Sequence, residues 1–188
     1  MTQLLLFPGA GSASTHSSLL AIEAAIAPMR CVREDFAYRK AGRKAPDRPP
    51  VLLQAVREAA APLLVADNKL LLGGRSMGGR ICSLAVADAD APLPAVGLVL
   101  ICYPLHPPGK PEILRVEHFP RLRVPCLFIS GTKDAFGSRD ELEQWTSTIR
   151  GSVTHHWLEG KGHDLKGCDS VIATTVAEWV TSVAGRRG

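Results

Sequence analysis

Leu70-Leu71-Leu72-Gly73-Gly74-Arg75-Ser76-Met77-Gly78-Gly79-Arg80 is the stretch on which the fold turns. An apolar run of strand length meets a glycine-flanked serine, and beyond it residues 77–87 carry a helical pattern. A G-x-S-x-G motif between a strand and a helix places Ser76 on a strained turn with its hydroxyl exposed. The glycines on either side remove side chains that would collide with the neighbouring strand and helix. The Met77 N–H, at the helix start, is then aimed at a developing oxyanion. By itself the pattern is weak: in a chain with 17 glycines it arises by chance about once in ten sequences of this length. Its context is what gives it weight.

Working outward, short apolar runs alternate with longer amphipathic stretches. The pattern predicts strands over 4–7, 31–36, 70–73, 96–103, 126–130 and 154–158, and helices over about 16–27, 50–64, 77–87, 138–150 and 170–183. Strands that alternate with helices imply an α/β protein with about six mostly parallel strands and helices on both faces. The run Val96-Gly97-Leu98-Val99-Leu100-Ile101-Cys102 has no polar alternation, so it belongs in the middle of the sheet. Ligands of such sheets bind beyond the carboxyl ends of the strands, which directs attention to the loops that follow them.

Two of those loops carry chemistry. After the strand ending at Ser130 the chain runs Gly131-Thr132-Lys133-Asp134, and after the last strand Glu159-Gly160-Lys161-Gly162-His163-Asp164. A serine hydroxyl is a weak nucleophile until a base takes its proton, a role for His163. A carboxylate at Asp134 would hold the imidazole tautomer and stabilise the imidazolium. The chain order Ser76, Asp134, His163 is the order that strand–turn–helix serine nucleophiles use. Asp164 and Asp140 are rival carboxylates. Asp164 adjoins the histidine itself, and Asp140 reads as a capping or first-turn residue of a helix, so both rank below Asp134. His155 and His156 fall inside a strand and read as packing residues. In the first loop, Phe7-Pro8-Gly9-Ala10-Gly11-Ser12, the Ala10 N–H is the candidate second oxyanion donor. A phosphate-binding reading of this loop lacks both the GK[ST] ending and the full G-x-G-x-x-G pattern.

The 188 residues are 46% hydrophobic and 21% charged, which suits one domain spanning 1–188. A net charge of +4 is too small to argue for nucleic acid. The basic cluster Arg39, Lys40, Arg43, Lys44 and Arg48 reads as a solvated loop, with a site for an anionic substrate group as the alternative. The N-terminus has no basic leader and its apolar run stops at Pro8, so neither a secretory signal nor a membrane span is expected and the cytoplasm is the expected location. Cys31, Cys82, Cys102, Cys126 and Cys168 are odd in number and widely spaced, and read as small buried hydrophobes. No metal or cofactor is called for. Only residues 184–188 have the polar character of a tail.

At these residues the chain resembles the α/β-hydrolase superfamily, and more closely its small dienelactone-hydrolase-like branch. It is most similar there to compact hydrolase-like proteins related to testis-expressed protein 30 and to the hydrolase-like subunit of the nonspecific-lethal chromatin complex. The resemblance covers nearly the whole chain. It rests on Pro8-Gly9-Ala10-Gly11, Asp35-Phe36-Ala37-Tyr38-Arg39, residues 73–80, Tyr103-Pro104-Leu105-His106-Pro107, Gly131-Thr132-Lys133-Asp134-Ala135-Phe136-Gly137 and Gly162-His163. It implies an α/β-hydrolase fold with a Ser76, Asp134, His163 triad and an oxyanion hole from Met77 and Ala10. It further implies substrate-binding positions at Gly9, His16, Tyr38, Tyr103 and His106. Where relatives usually begin the first loop with His-Gly this chain has Pro8-Gly9. Only about twenty residues separate Tyr103 from the strand near Val124, so no lid domain is expected.

Two functional expectations follow. One is a serine hydrolase that cleaves a small-molecule acyl substrate, an ester, thioester or small amide, through an acyl-enzyme. The other is a non-catalytic interaction or scaffold module, suggested by the chromatin-complex relative and the altered Pro8 loop.

Overall fold

Side chains alternate across a strand, so a strand that is apolar at every position is satisfied only by a sheet covered on both faces. The computed structural model describes residues 1–65 and 68–185. Strands β1 (Thr2–Phe7), β2 (Arg30–Arg33), β3 (Lys69–Arg75), β4 (Gly97–Ile101), β5 (Cys126–Gly131) and β6 (Val153–Leu158) form one sheet in the order β2-β1-β3-β4-β5-β6. Every pairing is parallel. β4 lies inside the sheet and is buried along its length. Its Leu98 and Leu100 enter one core with Leu5, Leu72 and Phe128, while Val99 and Ile101 enter the other with Leu4, Leu71 and Leu127.

Helices close both faces. α1 (Ser17–Ala25) and α6 (Asp169–Ala184) cover one through Leu19, Ile22, Ile172 and Val176. α3 (Pro49–Ala60), α4 (Met77–Val86) and α5 (Arg139–Thr146) cover the other through Leu52, Val56, Ile81 and Leu142. A short helix α2 (Ala37–Lys40) follows β2. Local chemistry sets several of these ends. Ser138 and Glu141 form a reciprocal capping box at the start of α5, and a proline opens α3 where a missing N–H costs nothing.

The structure departs from the expected spans where a tertiary partner intervenes. β2 stops at Arg33 instead of continuing to residue 36, because the Asp35 carboxylate turns aside to accept from Ser14 N at 2.7 Å and Ser14 Oγ at 2.8 Å, and Phe36 leaves to stack on Phe7 at 4.7 Å. β4 ends at Ile101, where Cys102 takes φ 52°. The α3 stretch passes into a 3-10 turn at Ala61–Leu63 that contains Pro62. The basic segment is not wholly loop, since Arg39 and Lys40 lie on α2. Of the expected tail, residues 186–188 lie outside the described residues.

Between β4 and β5, residues 102–125 carry only a 3-10 turn at Phe119–Arg121, so no lid covers the sheet's carboxyl edge. Among the described residues no helix is long and apolar enough to cross a membrane. All five cysteines are free. From β1 the chain goes to β2 on one side, and β3 pairs with β1 on the other, so a crevice opens above the carboxyl ends of β1 and β3.

Behind α4 lies His118, only 1% exposed, with its Nε2 2.8 Å from Ser83 Oγ. Burial first, then the charges of Arg80 and Arg121, push it from 6.5 down to about 3. The unfolded chain therefore binds a proton between about pH 3 and pH 6.5 that the native state refuses, and stability falls as pH drops through that window. Urea unfolding midpoints of the wild type should fall more steeply from pH 7 to pH 4 than those of His118→Gln. Parallel curves would count against this account.

Candidate active site

The turn between β3 and α4 is built from close backbone contacts. A Cβ on Gly78 would meet both Phe7 O and Pro8 O at 2.5 Å, so the first turn of α4 rests directly on the end of β1. Between them Ser76 is held at φ 46°, ψ −117°, a conformation costing an L-residue about 1–3 kcal/mol. The Ser76 N–H donates to Ile101 O at 2.7 Å and pins the turn to β4. Ser76 is the N-cap of α4, yet its hydroxyl makes no capping bond. It lies instead 2.9 Å from His163 Nε2.

His163 and Asp134 arrive from the loops after β6 and β5, which are locked to one another. A Cβ on Gly131 would come within 2.1 Å of Lys161 O, and Lys133 N donates to the same carbonyl at 2.9 Å. His163 Nδ1 lies 2.8 and 3.0 Å from the two carboxylate oxygens of Asp134, whose side chain is 3% exposed. Asp134 Oδ1 also accepts from Phe136 N at 2.9 Å, and the Phe136 ring stacks on the imidazole with centroids 4.0 Å apart. An ionised carboxylate only accepts, so this pairing assigns the proton to Nδ1 and leaves Nε2 free to accept from the Ser76 hydroxyl. The structure thus brings Ser76, His163 and Asp134 into one hydrogen-bonded line. The rival carboxylates do not join this line: Asp140 is exposed on the first turn of α5, and Asp164, although it lines the same cleft, has its Oδ1 accepting from Lys166 N at 3.3 Å. His155 bonds Thr146 Oγ1 at 2.9 Å and stacks on Trp157, away from this line. His156, its neighbour on β6, lies 3.5 Å from Thr175 Oγ1.

Met77 and Ala10 both line the same cleft, and among the described residues neither backbone N–H has a hydrogen-bond acceptor. The first loop is tied by Ser12 N donating to Gly9 O at 3.1 Å and by the Tyr38 hydroxyl donating to Ala10 O at 2.9 Å. Tyr38 thus anchors this loop from outside it, beside the loop's own Ser12 Oγ donating to Gly9 O at 3.3 Å.

The cleft encloses about 690 Å³. Of the expected substrate-binding residues, Gly9 and His16 line it. Tyr38, Tyr103 and His106 do not, and the expectation for these three is corrected. Each ring belongs to the interior. Tyr38 packs on Phe36; Tyr103 packs on Phe119 and Phe128 and donates to Arg115 O at 2.7 Å. His106 is 6% exposed, with Nδ1 2.9 Å from Pro107 O. Burial outweighs the gain from exposing such large rings at a site mouth, and the two tyrosines instead steady backbone that lines the cleft. Burial, and then the Arg75 charge, holds His16 below its ordinary value. Its Nδ1 accepts from Ser18 N at 3.2 Å, so Nε2 carries the proton.

The basic side chains of this cluster, Arg39, Lys40, Arg43, Lys44 and Arg48, do not line the cleft, although Asp47 between them does. Lys40 pairs with Glu34, and Arg43 makes a two-pronged bond to Asp47 at 2.7 and 3.2 Å. Several lining residues were not foreseen: Leu52, Arg75, Arg80, Arg115 and Phe136. Arg80 had a signal, since four residues beyond Ser76 is one helical turn. Arg75, beside the serine, bonds Asp164 O at 2.9 Å and Ser18 Oγ at 3.3 Å, bridging the histidine loop to α1. Arg115 sits in irregular chain and had none.

A family model described as an alpha/beta hydrolase domain matches residues 1–185. Among solved structures the chain is similar to Est1E from Butyrivibrio proteoclasticus, with a TM-score of 0.76, 14% identity, and coverage of 98% of this chain and 89% of that one. It is similar to a dienelactone hydrolase from Anabaena variabilis, with a TM-score of 0.76, 17% identity, and coverage of 96% and 86%. An alpha-beta serine hydrolase homologue from Coxiella burnetii gives a TM-score of 0.74, 13% identity, and coverage of 95% and 85%. At these identities the likeness is one of fold.

Tyr38→Phe keeps the ring and removes the donor to Ala10. It should cost about 1 kcal/mol of stability and speed amide hydrogen exchange over residues 9–12 relative to the rest of the chain. Unchanged exchange there would show that the loop is held by other means.

Proposed function

The chain belongs to the α/β-hydrolase family, and from that premise we propose that it is a serine hydrolase cleaving a carboxylic ester, thioester or small amide. The observation that carries the reading is the 2.9 Å contact between His163 Nε2 and a Ser76 hydroxyl that forgoes its helix-capping bond.

In this reading Ser76 Oγ attacks the substrate carbonyl carbon while His163 Nε2 takes the hydroxyl proton. The imidazolium is stabilised by the Asp134 carboxylate, and the oxyanion accepts from the Met77 and Ala10 N–H groups. Collapse breaks the bond to the leaving group, which takes the proton from Nε2, and leaves the acyl group on Ser76. Water then attacks the acyl carbonyl, giving its proton to Nε2. Ser76 Oγ departs and recovers that proton, and the carboxylic acid is released. His16 lines the cleft with Nδ1 already engaged by Ser18 N, so Nε2 is the ring nitrogen left for a substrate oxygen.

Within the family, the motifs at residues 73–80 and 131–137 support placing the chain in the compact dienelactone-hydrolase-like branch, beside testis-expressed protein 30 and the hydrolase-like chromatin-complex subunit. An uncovered cleft favours small or surface-exposed acyl groups over long buried ones. Five free cysteines suit a reducing compartment, the cytoplasm.

A fluorophosphonate should add one adduct at Ser76 in the intact-protein mass spectrum. Ser76→Ala should lose the adduct and lower p-nitrophenyl acetate hydrolysis by about 10³-fold or more. A variant that hydrolyses the ester as fast as the wild type would overturn the reading in favour of a non-catalytic module.

A further inference from the structure

The cleft carries an imbalance of charge that the proposed chemistry leaves unused. Arg80, on α4 one turn beyond Ser76, and Arg115, in the connection between β4 and β5, both line it. Among the described residues neither guanidinium has a carboxylate partner within ion-pair distance. The Arg80 Nε is shut off from solvent and has no hydrogen-bond partner. The two cations are near enough to feel each other: burial, then the Arg80 charge, holds Arg115 below its ordinary value. Two carboxylates also line the cleft, but Asp47 is taken by Arg43, and Asp164 follows His163 with its Oδ1 engaged by Lys166 N.

A partly desolvated pair of cations without an anion is costly, and a planar guanidinium fork matches an oxyanion better than it matches water. Partly buried hydrogen bonds hold the backbone at both positions: Ser83 Oγ donates to Arg80 O at 2.8 Å, and the Tyr103 hydroxyl donates to Arg115 O at 2.7 Å. The lining beside them is apolar, from Met77, Leu52 and Pro104. We infer that the substrate is a small ester or thioester carrying an oxyanion, a carboxylate or phosphate, that Arg80 and Arg115 grip while its carbonyl faces Ser76. The helix rises about 6 Å between residues 76 and 80, so the anion lies only a few bonds from the scissile carbonyl. The anion is a spectator: no bond to it forms or breaks. The substrate's being an ester rests on the hydrolase reading above; the anion subsite does not.

The test compares kcat/KM for matched pairs. An anionic acyl group is represented by p-nitrophenyl hemiglutarate against p-nitrophenyl valerate, and an anionic leaving group by 4-acetoxybenzoate against methyl 4-acetoxybenzoate. The wild type should prefer the anionic member of at least one pair by about tenfold or more. Arg80→Gln and Arg115→Gln, each checked for native circular dichroism, should bring that ratio toward one mainly through KM, and added salt should do the same. Ratios near one in both wild-type pairs would overturn the proposal. Calorimetric binding of glutarate and of inorganic phosphate to Ser76→Ala separates the two readings. Saturable binding of either, lost in both arginine variants, upholds the subsite even if no ester is cleaved, and the tighter ligand names the oxyanion. No binding of either overturns it.

Discussion

The contact on which the rest depends is the seating of the first turn of α4 against the end of β1, with no side chain between them. Only there can a serine be held at a positive φ with its hydroxyl lifted clear of the helix it caps. The strain at that one residue is small beside the burial of β3 and β4, which supplies the rigidity to hold it. Relaxing the turn would swing the Ser76 hydroxyl toward the free N–H groups of its own helix, an ordinary N-cap, and the bond to His163 would go.

Around it, buried polar groups act as braces. Tyr38 ties the first loop, Tyr103 ties the Arg115 segment, and Arg75 ties the histidine loop to α1. None of the three braces presents a hydroxyl or amine as a reacting group; Tyr38 and Arg75 join segments that follow different strands, while Tyr103 closes the β4–β5 connection on itself. Loops at the edge of a parallel sheet share few backbone bonds of their own, so long-range side-chain bonds do the work that a ladder does within the sheet. The Gly131 contact with Lys161 O serves the same end without a side chain.

The electrostatics divide the cleft by function. Asp134 is nearly buried and matched by one imidazole and one backbone N–H, which is the condition for a carboxylate to orient a base. Arg80 and Arg115, by contrast, face the cleft without a match. In the proposed reading an anionic substrate group completes that pair.

Much was legible in the sequence because it was written in local chemistry. Uninterrupted apolar runs such as 96–102 demanded a sheet covered on both faces, and glycines around Ser76 demanded a tight strand-to-helix turn. Residues just past strand ends gather on one edge, since parallel strands all point the same way, and so the motif at Ser76 and the strand-end positions of Asp134 and His163 point to one site. What the chain order could not convey was which face of a loop a side chain would take. Tyr38, Tyr103 and His106 sit in segments near the site, but their rings turned inward because burial of aromatic surface outweighs a place at the mouth. β2 was shortened by an Asp35 bond to a residue 21 positions away, and Arg115 became part of the cleft from a segment with no periodicity at all. By itself, then, the sequence determined the layers, the strand-end chemistry and the strained turn, all of which follow from neighbours in the chain. Only the tertiary structure decided which side chains line the cleft and which brace it from behind, because that choice depends on packing between residues far apart in sequence.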